Sequence, residues 1–192
     1  RVNILQFITH LKQICDHPRL YQASSFSRTD WSVCGKFAML TSILAPVLSP
    51  SAASGDSVLI FTQYKEVLQM IRLFVAGAFK CMPLEFHGGM STSARNAAVR
   101  AFQAKQCPVM CVSLRAGGVG LNLTAANHVV MFDLWWNPQV EAQAIDRCFR
   151  IGQTKNVQVH RFVTRGTFEV KIEEMMKSKL DLSERSVHVG ES

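Results

Sequence analysis

Apolar residues along the chain form two alternating patterns, short uninterrupted runs and longer stretches with helical spacing. The short runs suit strands that are buried on both faces, and they are VLIF (58–61), LEF (84–86), PVMCVSL (108–114), HVVMFD (128–133) and VQVHRFV (157–163). Helical spacing occupies most of the intervals, at 64–79, 92–104, 138–150 and 167–180. The alternation predicts an α/β fold whose parallel sheet carries helices on both faces.

Two further helices are predicted ahead of the first strand. Residues 2–15 place apolar side chains on one helical stripe before the sequence Asp-His-Pro ends the helix, and the stripe consists of Leu5, Ile8, Leu11 and Cys15. Residues 34–48 form a second amphipathic pattern, through Phe37, Leu40, Leu44 and Val47. Polar, irregular loops are expected at 18–33 and 49–57, and a polar tail at 181–192.

Size and composition are those of an ordinary globular domain. The 192 residues are enough for one α/β domain with a buried core, and 48% hydrophobic with 18% charged residues argue against disorder. The net charge of +7 is compatible with a polyanionic partner and favours one weakly. No apolar run approaches the roughly 20 residues of a membrane span, so we expect no membrane partner. Because the chain begins at Arg1 inside a helical pattern, we expect it to be part of a longer polypeptide.

The six cysteines contain no Cys-x-x-Cys pair. Cys107, Cys111 and Cys148 lie in apolar or helical stretches, where a free thiol behaves as a small hydrophobic side chain. We therefore predict reduced thiols in a cytosolic or nuclear protein, with no metal site and no disulfide framework.

Basic and amide side chains in the stretch EAQAIDRCFRIGQTK (141–155) suggest an anionic ligand. Read as a helix, this stretch places Gln143, Arg147 and Arg150 on one face at spacings i, i+4 and i+7. Glu141 or Asp146 could pair with one arginine, but neither pairing uses the whole stripe. A guanidinium fork that grips phosphoryl oxygens is the sharper hypothesis.

Two glycine-containing loops could approach a ligand through their backbone. SLRAGGVGLNLTAAN (113–127) is neither a dinucleotide-binding fingerprint, because Leu123 stands where the third glycine belongs, nor a Walker loop, because no Lys-Ser/Thr follows its glycines. FHGGMS (86–91) precedes a helix that should begin near Ser91 or Thr92, so its amides could contact phosphates. Taken alone, that second loop is equally well explained as a structural turn.

The stretch DLWWNPQ (133–139) predicts a strand-end acid followed by a helix with Asn137 as N-cap and Pro138 in its first turn. Trp135 and Trp136 could stack on bases or on another domain, and at least one of them is expected simply to pack beneath the helix. No nucleophile–base arrangement is evident. The histidines in apolar contexts are interpreted as packing or capping residues, namely His10, His17, His128 and His160.

Five ordered motifs together resemble the second RecA-like lobe of the SWI/SNF-type ATPases of helicase superfamily two. They are VLIFTQY, EFHGGMS, SLRAGGVGLNLTAANHVVMFD, WWNP and QAIDRCFRIGQTKNVQVHRFV. The resemblance covers about residues 4 to 180 and also includes LKQICDHPRL and CGKFAMLTSIL, which resemble the segment that leads into this lobe. It implies a lead-in at 1–34, a RecA-like domain at 35–180 and a tail at 181–192.

The resemblance implies roles for individual residues. Arg150 would be the arginine finger that reaches the γ-phosphate of ATP, Arg147 would lie beside it, and Gln143 would position them or the attacking water. ATP and Mg²⁺ would be held mainly by the first lobe of the same polypeptide, which carries the Walker lysine. The nucleotide side of the cleft would be lined by Gly118, Gly120 and Asn122. A DNA strand would be tracked, mainly through its phosphates, by Thr62, Gln63, His87, Gly88, Gly89, Ser113 and Arg115.

The implied activity is that of a DNA-dependent ATPase which translocates on duplex DNA and remodels chromatin or other protein–DNA complexes in transcription or repair. Its partners would be double-stranded DNA, nucleosomes and the first lobe, and its location the nucleus. This chain alone would not hydrolyse ATP. Two other classes remain open: a non-catalytic nucleic-acid-binding module with the same fold, and an NAD-binding Rossmann enzyme.

Overall fold

The structure of the chain is a computed structural model that describes residues 3–21, 30–49, 55–113 and 122–188. Its centre is a parallel sheet of five strands in the order β2-β3-β1-β4-β5. The strands are β1 (Val58–Thr62), β2 (Leu84–Phe86), β3 (Val109–Ser113), β4 (His128–Met131) and β5 (Gln158–Arg161). The predicted α/β class and all predicted strands are confirmed, with strand ends shifted by a few residues.

Six α-helices accompany the sheet in the described chain: α1 (Ile4–Asp16), α2 (Gly35–Leu48), α3 (Lys65–Phe79), α4 (Thr92–Gln103), α5 (Pro138–Ile145) and α6 (Phe168–His188). Short 3₁₀ turns, Pro18–Leu20 and Trp31–Val33, lie in the predicted loop between α1 and α2. No helix in the described ranges combines the length and the apolar character that crossing a bilayer requires.

Successive residues of each central strand pack alternately into two separate hydrophobic cores, one on each face of the sheet. Ile60, Cys111 and Val130 pack on one side of the sheet with residues of α2 and α3, such as Phe37 and Ile71. On the other side, the alternate strand residues pack with residues of α4 and of the region around α5, namely Leu59, Phe61, Met110, Val112, Val129, Met131, Phe102 and Cys148. Since side chains alternate across a strand, a run that is apolar at every position specifies a sheet covered on both faces.

Strand order places the central carboxyl ends at one edge. The chain leaves β1, builds β2 and β3 on one side of it, and then returns to build β4 and β5 on the other. Thr62 therefore pairs in register with Ser113 at the end of β3, and Phe61 pairs with Met131 at the end of β4. Ligands of open parallel sheets bind where the strand order reverses in this way.

Helix α5 is shorter than predicted. The prediction of a helix to residue 150 is wrong, because regular α5 ends at Ile145 and the following amides turn back to nearer carbonyls. Arg147 N donates to Ala144 O at 3.3 Å and Cys148 N to Ile145 O at 2.9 Å. Leu123 N donates a hydrogen bond to the Arg147 carbonyl oxygen at 3.0 Å, so a tertiary contact replaces the next helical hydrogen bond. The predicted helical stripe of Gln143, Arg147 and Arg150 therefore does not form.

The two terminal helices also differ from expectation. Helix α6 continues to His188, so most of the predicted polar tail is helical. On α1, Ile8 and Leu11 are only half-buried, while Lys12 and Asp16 have exposed fractions of 1% and 0%. The reason is that Lys12 Nζ donates to Leu134 O at 2.6 Å, so α1 is anchored through polar contacts as well as apolar ones.

Candidate nucleotide-facing and DNA-facing residues

The carboxylate of Asp133 organises the ends of β1 and β4. Its Oδ2 accepts the Thr62 hydroxyl, and its Oδ1 accepts the Gln63 side-chain amide at 2.8 Å. The same Gln63 nitrogen donates to Leu134 O at 2.7 Å. Asp133 and Thr62 are fully buried, whereas Gln63 is partly exposed. Thr62 thus shapes the strand end, and Gln63 is the member of the pair that a ligand can reach.

Burial raises the pKa of the Asp133 carboxyl, and the Thr62 hydrogen bond and the Lys36 ammonium oppose that rise. The donors around this carboxylate are worth more in a dry site than in water, since they replace its lost hydration. Asp133 is therefore suited to holding Thr62 and Gln63 in place.

The loop after β2 folds back on its own histidine. His87 is 8% exposed, and its Nδ1 accepts from Gly89 N at 3.1 Å. Met90 N donates to His87 O, and the Ser91 hydroxyl caps α4 by accepting from Ala94 N at 3.2 Å. Gly88 and Gly89 are exposed, and no described group accepts from the Gly88 amide. The predicted helix start is confirmed, and the unpaired Gly88 amide lies in an exposed loop that leads directly into the N-terminus of α4.

Lys65, which the sequence reading missed, lies against this loop. A Cβ added to Gly89 would lie 3.7 Å from Lys65 Nζ, so the ammonium adjoins the exposed glycines. Lys65 is the first residue of α3, three positions after β1 ends at Thr62, and it is exposed. Among the described residues, no carboxylate forms an ion pair with it. Its position just beyond TQY was the only signal in the sequence.

Residues from the glycine-rich stretch can be placed only in part. Arg115, Gly118 and Gly120 lie outside the described residues. Ser113 ends β3 and is 6% exposed, and Asn122 is exposed where the described chain resumes. Their implied roles stay predictions.

Arg147 and Arg150 follow α5 in a segment that is fixed to the body of the domain. Gln153 Nε2 donates to Thr124 O at 3.1 Å and to Ala126 O at 2.7 Å, which anchors the segment's far end. Gln153 N also donates to Arg150 O at 3.0 Å. Arg147 is half-buried and Arg150 is exposed, as is Gln143 on α5. The backbone of this segment is therefore anchored, while the Arg150 side chain is exposed to solvent.

None of the described carboxylates forms an ion pair with Arg147 or Arg150, and Glu141 has other partners. Glu141 is 1% exposed; its Oε1 accepts from Trp135 N at 3.0 Å and its Oε2 from Arg161 Nε at 2.9 Å. In the described ranges, no carboxylate lies within ion-pair distance of Arg147 or Arg150, and Arg147 Nε is buried with no hydrogen-bond partner there. The alternative of a structural ion pair to Glu141 or Asp146 is therefore wrong.

Asn137 caps α5 as predicted, and Trp136 packs against α6 and α1. The Trp136 ring packs on Phe168 at 5.9 Å between centroids, with Lys12 Nζ 5.6 Å from its centroid. Asn137 Oδ1 accepts from Gln139 N at 3.0 Å and begins α5. At least one tryptophan is thus a packing residue, and the expected N-cap is confirmed.

A buried charge cluster beside Asp133 was not predicted. Lys36 Nζ donates to Asp16 Oδ1 at 2.8 Å, to Glu169 Oε1 at 2.5 Å and to Phe132 O at 2.9 Å. These contacts join α1, α2, the end of β4 and α6. Burial raises the pKa of Asp16 well above its usual value, with Lys36 opposing the rise. Burial lowers the pKa of Lys36, but the Asp16 and Glu169 carboxylates outweigh it and raise that pKa overall.

Comparison with known proteins identifies the family. The model of the helicase conserved C-terminal domain matches residues 35–152. The putative ATP-dependent helicase/translocase YwqA of Bacillus subtilis is 42% identical over 185 residues, which are 96% of this chain and 20% of that protein. The transcription regulatory protein SNF2 of Saccharomyces cerevisiae is 35% identical, over 95% of this chain and 11% of its own length.

Solved structures agree. The Sulfolobus solfataricus SWI2/SNF2 ATPase core in complex with dsDNA superimposes with a TM-score of 0.75 at 35% identity, over 93% of this chain and 36% of that one. This chain spans no more than about a fifth of the length of the two curated relatives given above, YwqA and SNF2.

Proposed function

The chain belongs to the helicase conserved C-terminal domain family, as a SWI/SNF-like RecA-type lobe of superfamily two, and from this premise we propose that it is the C-terminal motor lobe of a DNA-dependent ATPase. The whole protein would translocate on duplex DNA and remodel nucleosomes or other protein–DNA complexes. ATP and Mg²⁺ would be held mainly by the first lobe of the same polypeptide. Family membership removes the alternative of an NAD-binding enzyme.

The relatives support this proposal unevenly. SNF2 is named for transcription regulation, and the DNA repair protein RAD5 of Saccharomyces cerevisiae is 34% identical over 80% of this chain. The bacterial relative has the higher identity of 42%. Motor activity on DNA is therefore the broader proposal. Chromatin substrates and a nuclear location are narrower ones that the yeast relatives favour and the bacterial relative opposes.

The observation that carries the motor proposal is the surface around Arg150. The guanidinium is exposed between Phe149, which is 54% exposed, and Ile151, which is fully exposed. A cation flanked by exposed apolar side chains suits a face that a second lobe covers, since closure would remove water from both. Desolvation would then strengthen the attraction between Arg150 and the γ-phosphate.

The implied mechanism is electrostatic. Closure of the two lobes around ATP would bring Arg150 to the transferred phosphoryl group, where its fork stabilises the charge that develops during transfer. Arg147 would add positive potential beside it, and Gln143 would orient the finger or the attacking water. Bound Mg²⁺ would supply neutralisation of phosphate charge. The decisive experiment is DNA-stimulated ATP hydrolysis by the full-length protein, compared between wild type and Arg150→Ala.

The DNA-facing surface would lie at the strand ends. Gln63 is partly exposed there, Gly88 and Gly89 are exposed, and the Lys65 ammonium adjoins Gly89. Backbone amides and an ammonium in one region suit phosphate oxygens and carry no base specificity. A translocase needs contacts of this kind, because it must bind every position along the duplex.

Lys65→Met is expected to weaken binding to duplex DNA of any sequence and to lower the slope of log K against log salt concentration by about 1. The physical reason is that each lost phosphate contact leaves one fewer counterion to release. Fluorescence anisotropy at a series of salt concentrations measures the slope in the full-length protein.

The matched control is Lys80→Met. Lys80 is exposed at the other end of the same helix, distant from the carboxyl ends of the strands. The Lys80→Met substitution should leave the salt slope unchanged. If wild type and both variants have equal slopes, Lys65 does not contact DNA phosphates.

A further inference from the structure

Two thiols at one corner of the sheet are in contact. Cys81 Sγ and Cys107 Sγ lie 3.8 Å apart, although the residues are 26 positions apart in the sequence. Both side chains are partly exposed, unlike Cys34, Cys111 and Cys148, which are buried. Within the described chain, no group of three or more metal-ligating side chains contains this pair. Neither the motor nor the DNA surface proposed above uses it.

The backbone on each side of the pair brings the two thiols together. Cys81 directly follows Lys80, which caps α3 in the left-handed conformation with φ 55°, and Cys107 comes two residues after Lys105, which has the same φ beyond the end of α4. Each cysteine then leads into a strand, β2 or β3, and these strands are paired neighbours. Two helix-to-strand turns, each with one left-handed lysine, therefore place their cysteines side by side.

We propose that Cys81 and Cys107 form a reversible disulfide when the protein meets a two-electron thiol oxidant such as a peroxide. The distance of 3.8 Å must shorten to the roughly 2.05 Å of a disulfide. Side-chain rotation together with small shifts of the two surface turns can supply this, because each thiol lies in a connecting segment and not within a strand.

Either thiol can react first, and the reaction balances in both orders. Burial and the neighbouring Cys107 thiol raise the pKa of Cys81. The thiolate of one cysteine would attack the peroxide oxygen, giving a sulfenic acid and hydroxide, which takes up a proton and leaves as one water. The second cysteine, as its thiolate, would then attack the sulfenic sulfur and displace hydroxide, which takes up the proton released from that thiol and leaves as a second water. Two thiols and one peroxide thus give one disulfide and two waters.

The bond would close a covalent loop around residues 81–107. This loop contains β2, the His87–Gly88–Gly89 turn and α4. A cross-link at the base of a loop restricts its opening. Oxidation is therefore expected to slow local opening of the β2–α4 unit.

The test uses the reduced full-length protein, treated with hydrogen peroxide, alkylated with N-ethylmaleimide and analysed by peptide mass spectrometry. The expected product is a cross-linked pair of the Cys81 and Cys107 peptides, which is about 2 Da lighter than the sum of the two reduced peptides because disulfide formation removes two hydrogens. Dithiothreitol should convert this product back to the two separate peptides. Cys81→Ser and Cys107→Ser should each abolish it. Amide hydrogen exchange across 84–103 should slow on oxidation in wild type and not in either variant.

Three outcomes would overturn the proposal. The first is that both thiols stay fully alkylatable after peroxide treatment. The second is that either cysteine accumulates as sulfinic acid without cross-linking. The third is that the disulfides scramble among all six cysteines of the chain. Because the Ser variants replace a partly exposed thiol with a group of similar size, circular dichroism can confirm that they fold before the oxidation is compared.

Discussion

Arg150→Ala is expected to reduce DNA-stimulated ATP hydrolysis of the full-length protein by about 10³–10⁵-fold, the usual contribution of an arginine finger. The exposed guanidinium has no carboxylate partner among the described residues, so its removal should cost the fold little. The duplex-DNA affinity should therefore stay within a small factor of wild type. Steady-state phosphate release with and without DNA measures the first quantity, and fluorescence anisotropy measures the second.

Two comparison variants sharpen that result. Arg100→Ala removes another exposed arginine, in the last turn of α4, and should leave hydrolysis unchanged. Arg150→Lys keeps the charge but loses the planar fork, so it should recover only part of the activity. If Arg150→Ala hydrolyses at the wild-type rate, the finger assignment fails. If the wild-type protein shows no DNA-stimulated hydrolysis, the non-catalytic nucleic-acid-binding module becomes the better proposal.

Lys36→Met is expected to lower the free energy of unfolding by about 3–5 kcal/mol, the cost of removing one partner from a buried ion pair. Lys36 is 4% exposed, and its ammonium is the shared partner of Asp16, Glu169 and the Phe132 carbonyl. Removing it leaves two buried carboxylates without their cation. Urea unfolding followed by circular dichroism measures the change, with Lys171→Met on an exposed face of α6 as the control.

The deficit should depend on pH with a definite sign. A carboxyl whose pKa is raised by folding contributes stability below its unfolded pKa and loses it as pH rises through the folded value. Without Lys36, the pKa of Asp16 should rise further than burial already raises it. The loss of stability in Lys36→Met should therefore be larger at pH 7 than at pH 5. An equal loss at both values, or one below about 1 kcal/mol, would contradict the cluster's proposed role.

The strands and the fold class could be predicted because their signal is local. A strand buried on both faces must be apolar at consecutive positions, as in VLIF, and no distant residue is needed to recognise it. The Asn137 cap is equally local, since its side chain accepts an amide two residues away. The order and spacing of the motifs also pointed to the family that the comparisons then established.

The candidate site was only partly predictable. The sequence identified Arg147 and Arg150 as unusual, yet it misread their geometry. The end of α5 depends on Leu123, whose amide donates to the Arg147 carbonyl oxygen. No helical pattern encodes that contact. Likewise, the Thr62 hydroxyl donates to Asp133, which is 71 positions away in the sequence. Only the tertiary structure therefore shows that Gln63 is more exposed to a ligand than Thr62.

By itself, the sequence determined the α/β alternation, the strand cores, the local caps and the family, because each depends on side chains a few residues apart or on their order. Tertiary structure decided where α5 ends, which charges are buried and which thiols meet. Lys36 and Glu169 are 133 positions apart, and Cys81 and Cys107 are 26 apart. Such pairs carry no local periodicity. Their contact energy exists only once the sheet has brought their helices and turns together.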